Sequence, residues 1–125
     1  MLNEVLLYIG SGVIIIWGIA HLIPTKAIVN GFVEISEDNK KILTMELIAE
    51  GLTLIFLGVL VLLVSLVGGI DNEVSTLVLW ASVVMLLIMA LLTALTGART
   101  AGIPYKICPF VKTAVGVLII LGILL

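Results

Sequence analysis

Glu46 and Glu50 stand four residues apart inside the apolar stretch MELIAEGLTLIFLGVLVLL. On a helix that spacing sets both carboxylates on one face, about 6 Å apart along the axis. Ionisable groups in so apolar a segment are costly, and they persist where they serve a function or pair with another charge. The groups able to answer them are few, because the chain has one histidine, one cysteine and six lysines and arginines. Arg99 is the expected partner of Glu50. His21 is either a helix-end histidine bonded to a carbonyl or headgroup water, or a further partner of the carboxylates. The polar cluster expected is therefore His21, Glu50 and Arg99, with Glu46 at its rim. Tyr105, Cys108 and Lys112 form a secondary set in the stretch YKICPFVK. There, Cys108 reads as a small cap or a reactive thiol at a helix amino terminus, and Tyr105, Lys106 and Lys112 read as headgroup contacts.

Other chemistries are excluded by count and pattern. One His cannot give bis-His haem ligation, and one Cys cannot run disulfide exchange. No GxxxxGK[ST], GxGxxG or HExxH pattern occurs, and nothing favours nucleic-acid binding. A His with two Glu can hold a divalent ion in principle, but these lie on two helices without an ExxH repeat, so no metal site is expected.

The elements that must position these residues follow from composition. The chain is 125 residues long, 62% hydrophobic and 11% charged, with a mean hydropathy of +1.42. Those values lie far outside soluble domains. Apolar runs that suffice to cross about 30 Å of hydrocarbon fall at 5–23, 45–67, 77–95 and 109–125. The reading is an all-α, integral membrane four-helix bundle, up-down-up-down, forming one transmembrane domain over the whole chain. The first run lacks the basic flank of a secretory signal and is read as a span. The second span is expected to begin in water near residue 37, with Ser36 as N-cap and Glu37 and Asp38 in its first turn. Between the first two spans, KAIVNGFVEI suggests a short amphipathic piece in the interface plane that shields the site, or an irregular loop, since Gly31 weakens the helix. The short 68–75 connection predicts that spans two and three are antiparallel neighbours, and Pro109 fits the first helical position of span four.

Lys26, Lys40 and Lys41 lie between spans one and two, and Arg99, Lys106 and Lys112 between spans three and four. The positive-inside rule then puts both termini outside and the basic connections in the cytoplasm. Thr93 with Gly97, and Ala90 with Ala94, are small pairs that permit close helix approach and favour a homodimer or larger assembly.

The pattern GVIIIWGIAHLIPT, followed by a GF-containing amphipathic stretch and then MELIAEGLTLIFLGVLVLL, resembles the DoxX-like group of small four-span bacterial and archaeal membrane proteins. The resemblance lies in residues 12–63. It implies a prokaryotic plasma membrane and a place as an accessory subunit of a membrane redox complex or in quinol oxidation. The chain departs from small multidrug transporters, which carry their essential Glu in the first span. The function expected is a binding or accessory subunit whose carboxylate-containing pocket, on the cytoplasmic side, takes a quinone-like or lipid-like ligand or docks a partner. The alternatives are a proton-coupled transporter of a small solute using Glu50, and an intramembrane enzyme using Glu46 or Glu50 as general acid or base.

Overall fold

Long apolar runs leave the backbone no partner but itself, so the chain satisfies its N–H and C=O groups within helices. The computed structural model describes all residues, Met1–Leu125. It contains α1 (Leu2–Leu22), α2 (Thr25–Asn30), α3 (Glu37–Leu63), α4 (Glu73–Leu95) and α5 (Ile103–Leu124), and no strand. A π-helical turn at Val64–Gly68 extends α3, and a 3-10 turn at Gly97–Arg99 follows α4. Helices α1, α3, α4 and α5 are each long and apolar enough to cross a membrane. The fold is an all-α four-helix bundle, and by the length and composition of these helices the chain is a multi-pass membrane protein.

Local chemistry sets the boundaries. The Ser36 hydroxyl accepts from the Asn39 N–H at 3.1 Å and caps α3. Asn72 does the same for α4, accepting from Val74 and Ser75. The interfacial piece is realised only as α2, which stops at Gly31, and residues 32–35 run on without helix. Pro109 does not start the last helix. Gly102 is the N-cap and Pro104 occupies the first turn, where its missing N–H costs nothing, so α5 begins at Ile103 and Pro109 lies inside it. Starting six residues early carries Lys112 about 9 Å further into the bundle, at roughly 1.5 Å per residue.

The helices run around the bundle in the order α3, α1, α5, α4. The α1–α3 pair packs most intimately, through Gly18 and Gly51. A Cβ on Gly18 would lie 2.8 Å from the Gly51 carbonyl oxygen, and one on Gly51 would lie 3.0 Å from the Gly18 oxygen. Only the hydrogen side chain permits that approach.

The expected neighbourhood of spans two and three is corrected. Helices α3 and α4 meet beside their short connection, where the Ser75 hydroxyl donates to the Val64 carbonyl at 3.5 Å, and hardly touch elsewhere. A four-residue link fixes where two helices meet but not how far they stay together. The apolar core, including Leu7, Ile14, Leu54, Val61, Leu86 and Ile119, fills the half of the bundle nearest that link. The other half holds polar side chains instead.

Candidate functional site

Every long helix contributes a polar group to the second half of the bundle. Gly18 and Gly51 press α1 on α3, so their near neighbours His21 and Glu50 face one another. The His21 Nε2 atom lies 4.0 Å from Glu50 Oε1. From the opposite side of the bundle, Lys112 of α5 donates to the same Glu50 oxygen, and its ammonium also donates to the Thr93 hydroxyl at 2.8 Å. Thr93 passes its own hydrogen to the Met89 carbonyl at 2.9 Å. Lys112 has no exposed surface, while the Glu50 side chain keeps 30% of its own. A buried ammonium is tolerated only when it is paired and hydrogen-bonded, and both conditions hold here.

The His21 tautomer follows from its partners. Its Nδ1 lies 2.9 Å from the Trp17 carbonyl oxygen, which can only accept, so Nδ1 carries the hydrogen. In the uncharged ring, Nε2 is then left with a lone pair. Cys108 Sγ sits 3.5 Å from that atom and accepts the Trp17 indole N–H at 3.3 Å. The indole and imidazole rings meet edge to face with centroids 5.6 Å apart. The thiol hydrogen therefore points to His21 Nε2, and Trp17, Cys108, His21, Glu50, Lys112 and Thr93 form one continuous polar chain across the bundle. No buried side-chain polar atom lacks a partner.

Two concavities flank this chain. The first, about 380 Å³, is lined by Trp17, Ala20, His21, Pro24, Ile28, Leu47, Pro104 and Tyr105. It is apolar apart from the His21 and Tyr105 heads, and α2 supplies one wall through Ile28. The second is a cleft of about 410 Å³ in the seam where α3 and α4 part, and its lining includes Glu46, Glu50, Thr53, Thr93, Thr96 and Tyr105. Tyr105 and Leu47 belong to both. The Tyr105 hydroxyl has no hydrogen-bond partner within the chain.

Of the residues expected to converge, the structure brings His21 and Glu50 together. It does not bring Arg99, which lies exposed on the 3-10 turn after α4 and forms no ion pair. Lys112 takes the place expected of Arg99, and it is not a headgroup contact. Glu46 is exposed and lines the cleft, outside that polar chain. Cys108 is neither a cap nor at the start of a helix. It is buried in α5 against His21 and Trp17. Thr93 and Gly97 lie against Lys112 and Tyr105 respectively and line the open seam between α3 and α4. Trp17 precedes His21 by four residues on the same face of α1, and its role as a donor to sulfur carries no signal in the sequence.

The site thus belongs to a four-span helical protein with a buried Glu–Lys pair linked to a thiol–imidazole pair. Comparison of the chain with protein-family models, curated proteins and solved structures gave no match.

Proposed function

We propose that the protein binds a flat, lipid-soluble ligand of quinone type in the cavity between α1, α3 and α5. The observation that carries this reading is the cavity itself, which has apolar walls, room for one or two rings, and two polar heads at its edge. The Tyr105 hydroxyl, free of other partners, donates to a ligand carbonyl oxygen. Behind it, an imidazole and a carboxylate, those of His21 and Glu50, stand 4.0 Å apart between the cavity and the cleft, two groups able to take up or release a proton there. A polar site at one end of an apolar bundle suits a ligand that arrives through the bilayer. The chain's resemblance to DoxX-like proteins supports an accessory role beside a membrane redox complex in a prokaryotic plasma membrane. The concentration of Lys and Arg in the two connections at the site's end supports a cytoplasmic location for that end, with both termini outside.

The test uses the purified protein in nanodiscs with Trp80→Phe, so that Trp17 is the sole indole. A short-chain ubiquinone or menaquinone analogue is expected to quench its fluorescence saturably, at one ligand per chain. Ala20→Phe, which fills the cavity, is expected to abolish saturation, and Glu46→Gln in the cleft to leave it intact. Quenching that rises linearly and ignores Ala20→Phe would count against the reading.

A second reading rests on the Glu50 carboxylate, which borders the open seam between α3 and α4 as well as the buried Lys112. A small cationic solute entering the seam would compete with Lys112 for that carboxylate, as proton-coupled transport requires. Solute-driven proton flux in proteoliposomes, lost in Glu50→Gln, distinguishes it from binding alone.

A further inference from the structure

His21, Glu50 and Cys108 come from three different helices, yet their ligand atoms all lie within 4.8 Å of one another. We propose that these three side chains form a binding site for a soft or borderline divalent transition-metal ion such as zinc. This goes beyond the binding of an organic ligand, and it is read out by the metal itself.

The donor set is the first argument. One imidazole, one thiol and one carboxylate suit zinc and the later first-row ions, whereas magnesium and calcium take oxygen alone. The spacing is the second. Around a tetrahedral ion with bonds of about 2.0–2.3 Å, a nitrogen and a sulfur ligand lie about 3.6 Å apart, and a nitrogen and an oxygen about 3.4 Å. The structure holds His21 Nε2 and Cys108 Sγ at 3.5 Å, and His21 Nε2 and Glu50 Oε1 at 4.0 Å. The nitrogen and sulfur already stand at ligand separation, and the carboxylate has to move in toward both, by about 1 Å at the sulfur given the 4.8 Å bound on the set, within reach of a side-chain rotation.

The surroundings supply the third argument, because each donor is held by a second partner as metal ligands are. The Trp17 carbonyl takes the Nδ1 hydrogen of His21 and so keeps the Nε2 lone pair facing the site. The Trp17 indole N–H donates to the Cys108 sulfur, which stabilises a thiolate. Lys112 fixes the Glu50 carboxylate, and a carboxylate has lone pairs enough on its two oxygens to serve an ammonium and an ion together.

On binding, Cys108 loses its thiol proton to solvent and its sulfur forms a bond to the ion. Oxidation states do not change. Thiolate and carboxylate balance the dication, Lys112 leaves one net positive charge, and the fourth position, left open by three protein ligands, favours an anionic occupant such as hydroxide.

The experiment titrates the purified, detergent-solubilised full chain with Co²⁺ and then Zn²⁺. Cys108 is the sole cysteine, so a sulfur-to-cobalt charge-transfer band in the near ultraviolet can arise only from it, and the unaltered protein gives that result without any substitution. Expected are that band at one Co²⁺ per chain, intense visible bands of a tetrahedral ion, and displacement of both by Zn²⁺. Trp17→Phe, which removes the hydrogen bond to sulfur, should weaken Co²⁺ binding by about 10-fold or more. Glu46→Gln, off the site, should bind as the parent does. Absence of the charge-transfer band at saturating Co²⁺, or weak octahedral spectra equally reduced by Glu46→Gln, would mean that the three side chains lie together without holding an ion and would overturn the proposal.

Discussion

Lys112 reaches Glu50 across the diagonal of the bundle. The two residues lie 62 apart in sequence, on helices α5 and α3, whose backbones are separated by α1 on one side and by the open α3–α4 seam on the other. The ion pair therefore ties together two helices that backbone packing leaves apart, at the end of the bundle where the apolar core has run out.

The first prediction concerns this tie. Removing one member of a buried pair leaves the other charge uncompensated and costs about 3–5 kcal/mol, whereas removing both is far milder. Glu50→Gln and Lys112→Met should each lower unfolding stability by that order, and the double variant should recover much of the loss. Arg99→Ala, which alters only an exposed turn, should change stability by no more than about 0.5 kcal/mol. Reversible unfolding in mixed micelles measures all four, and additive losses for the first two would break the argument.

The second prediction isolates Tyr105. Its hydroxyl is free within the chain, so Tyr105→Phe removes nothing the folded protein needs, and the melting temperature should stay put. A hydrogen bond to a bound quinone analogue contributes about 0.5–1.5 kcal/mol. Affinity by Trp17 quenching should therefore fall roughly two- to tenfold. An unchanged affinity would place the ligand elsewhere.

Orientation gives the third. In a Cys108→Ala background, Asp71→Cys should react with an impermeant thiol reagent from outside intact cells, and Lys40→Cys and Lys106→Cys only after permeabilisation. The basis is the location of Lys and Arg in the two connections at the site's end of the bundle. The reverse labelling pattern would put the site on the outer face.

Much of the architecture is legible in the sequence because hydropathy and capping are local. Four apolar runs announce four helices, Ser36 announces the start of α3, and Glu50 announces itself as a carboxylate that must find a partner. The identity of that partner was not legible. Two prolines compete for the start of α5, and the choice between Pro104 and Pro109 decides whether Lys112 lies at the membrane surface or deep in the bundle. Nor was the order of the helices around the bundle, which sets Cys108 beside His21 and opens the seam between α3 and α4. That order depends on which faces pack, and the closest packing hangs on two glycines whose partners lie in another helix.

Those glycines supply the last prediction. Gly18 and Gly51 oppose each other where α1 crosses α3, and a methyl group on either meets backbone oxygen or tightly packed side chains at 2.7–3.0 Å. Backbone cannot yield as a flexible side-chain end does, so the helices must move apart. Inserting a methyl into a well-packed contact costs about 1–3 kcal/mol. Gly12, on the same helix α1, has nothing within 4 Å of such a methyl. In an exposed helix interior, Gly to Ala is favourable by about 0.5–1 kcal/mol. Gly51→Ala should therefore destabilise the protein while Gly12→Ala leaves it unchanged or firmer. The site separates the two further, since Glu50 adjoins Gly51 and parting α3 from α1 lengthens the His21–Glu50 separation. Gly51→Ala should weaken Co²⁺ binding as well as folding, and Gly12→Ala neither. Equal effects of the two substitutions on unfolding would show that the α1–α3 crossing is not what positions the site.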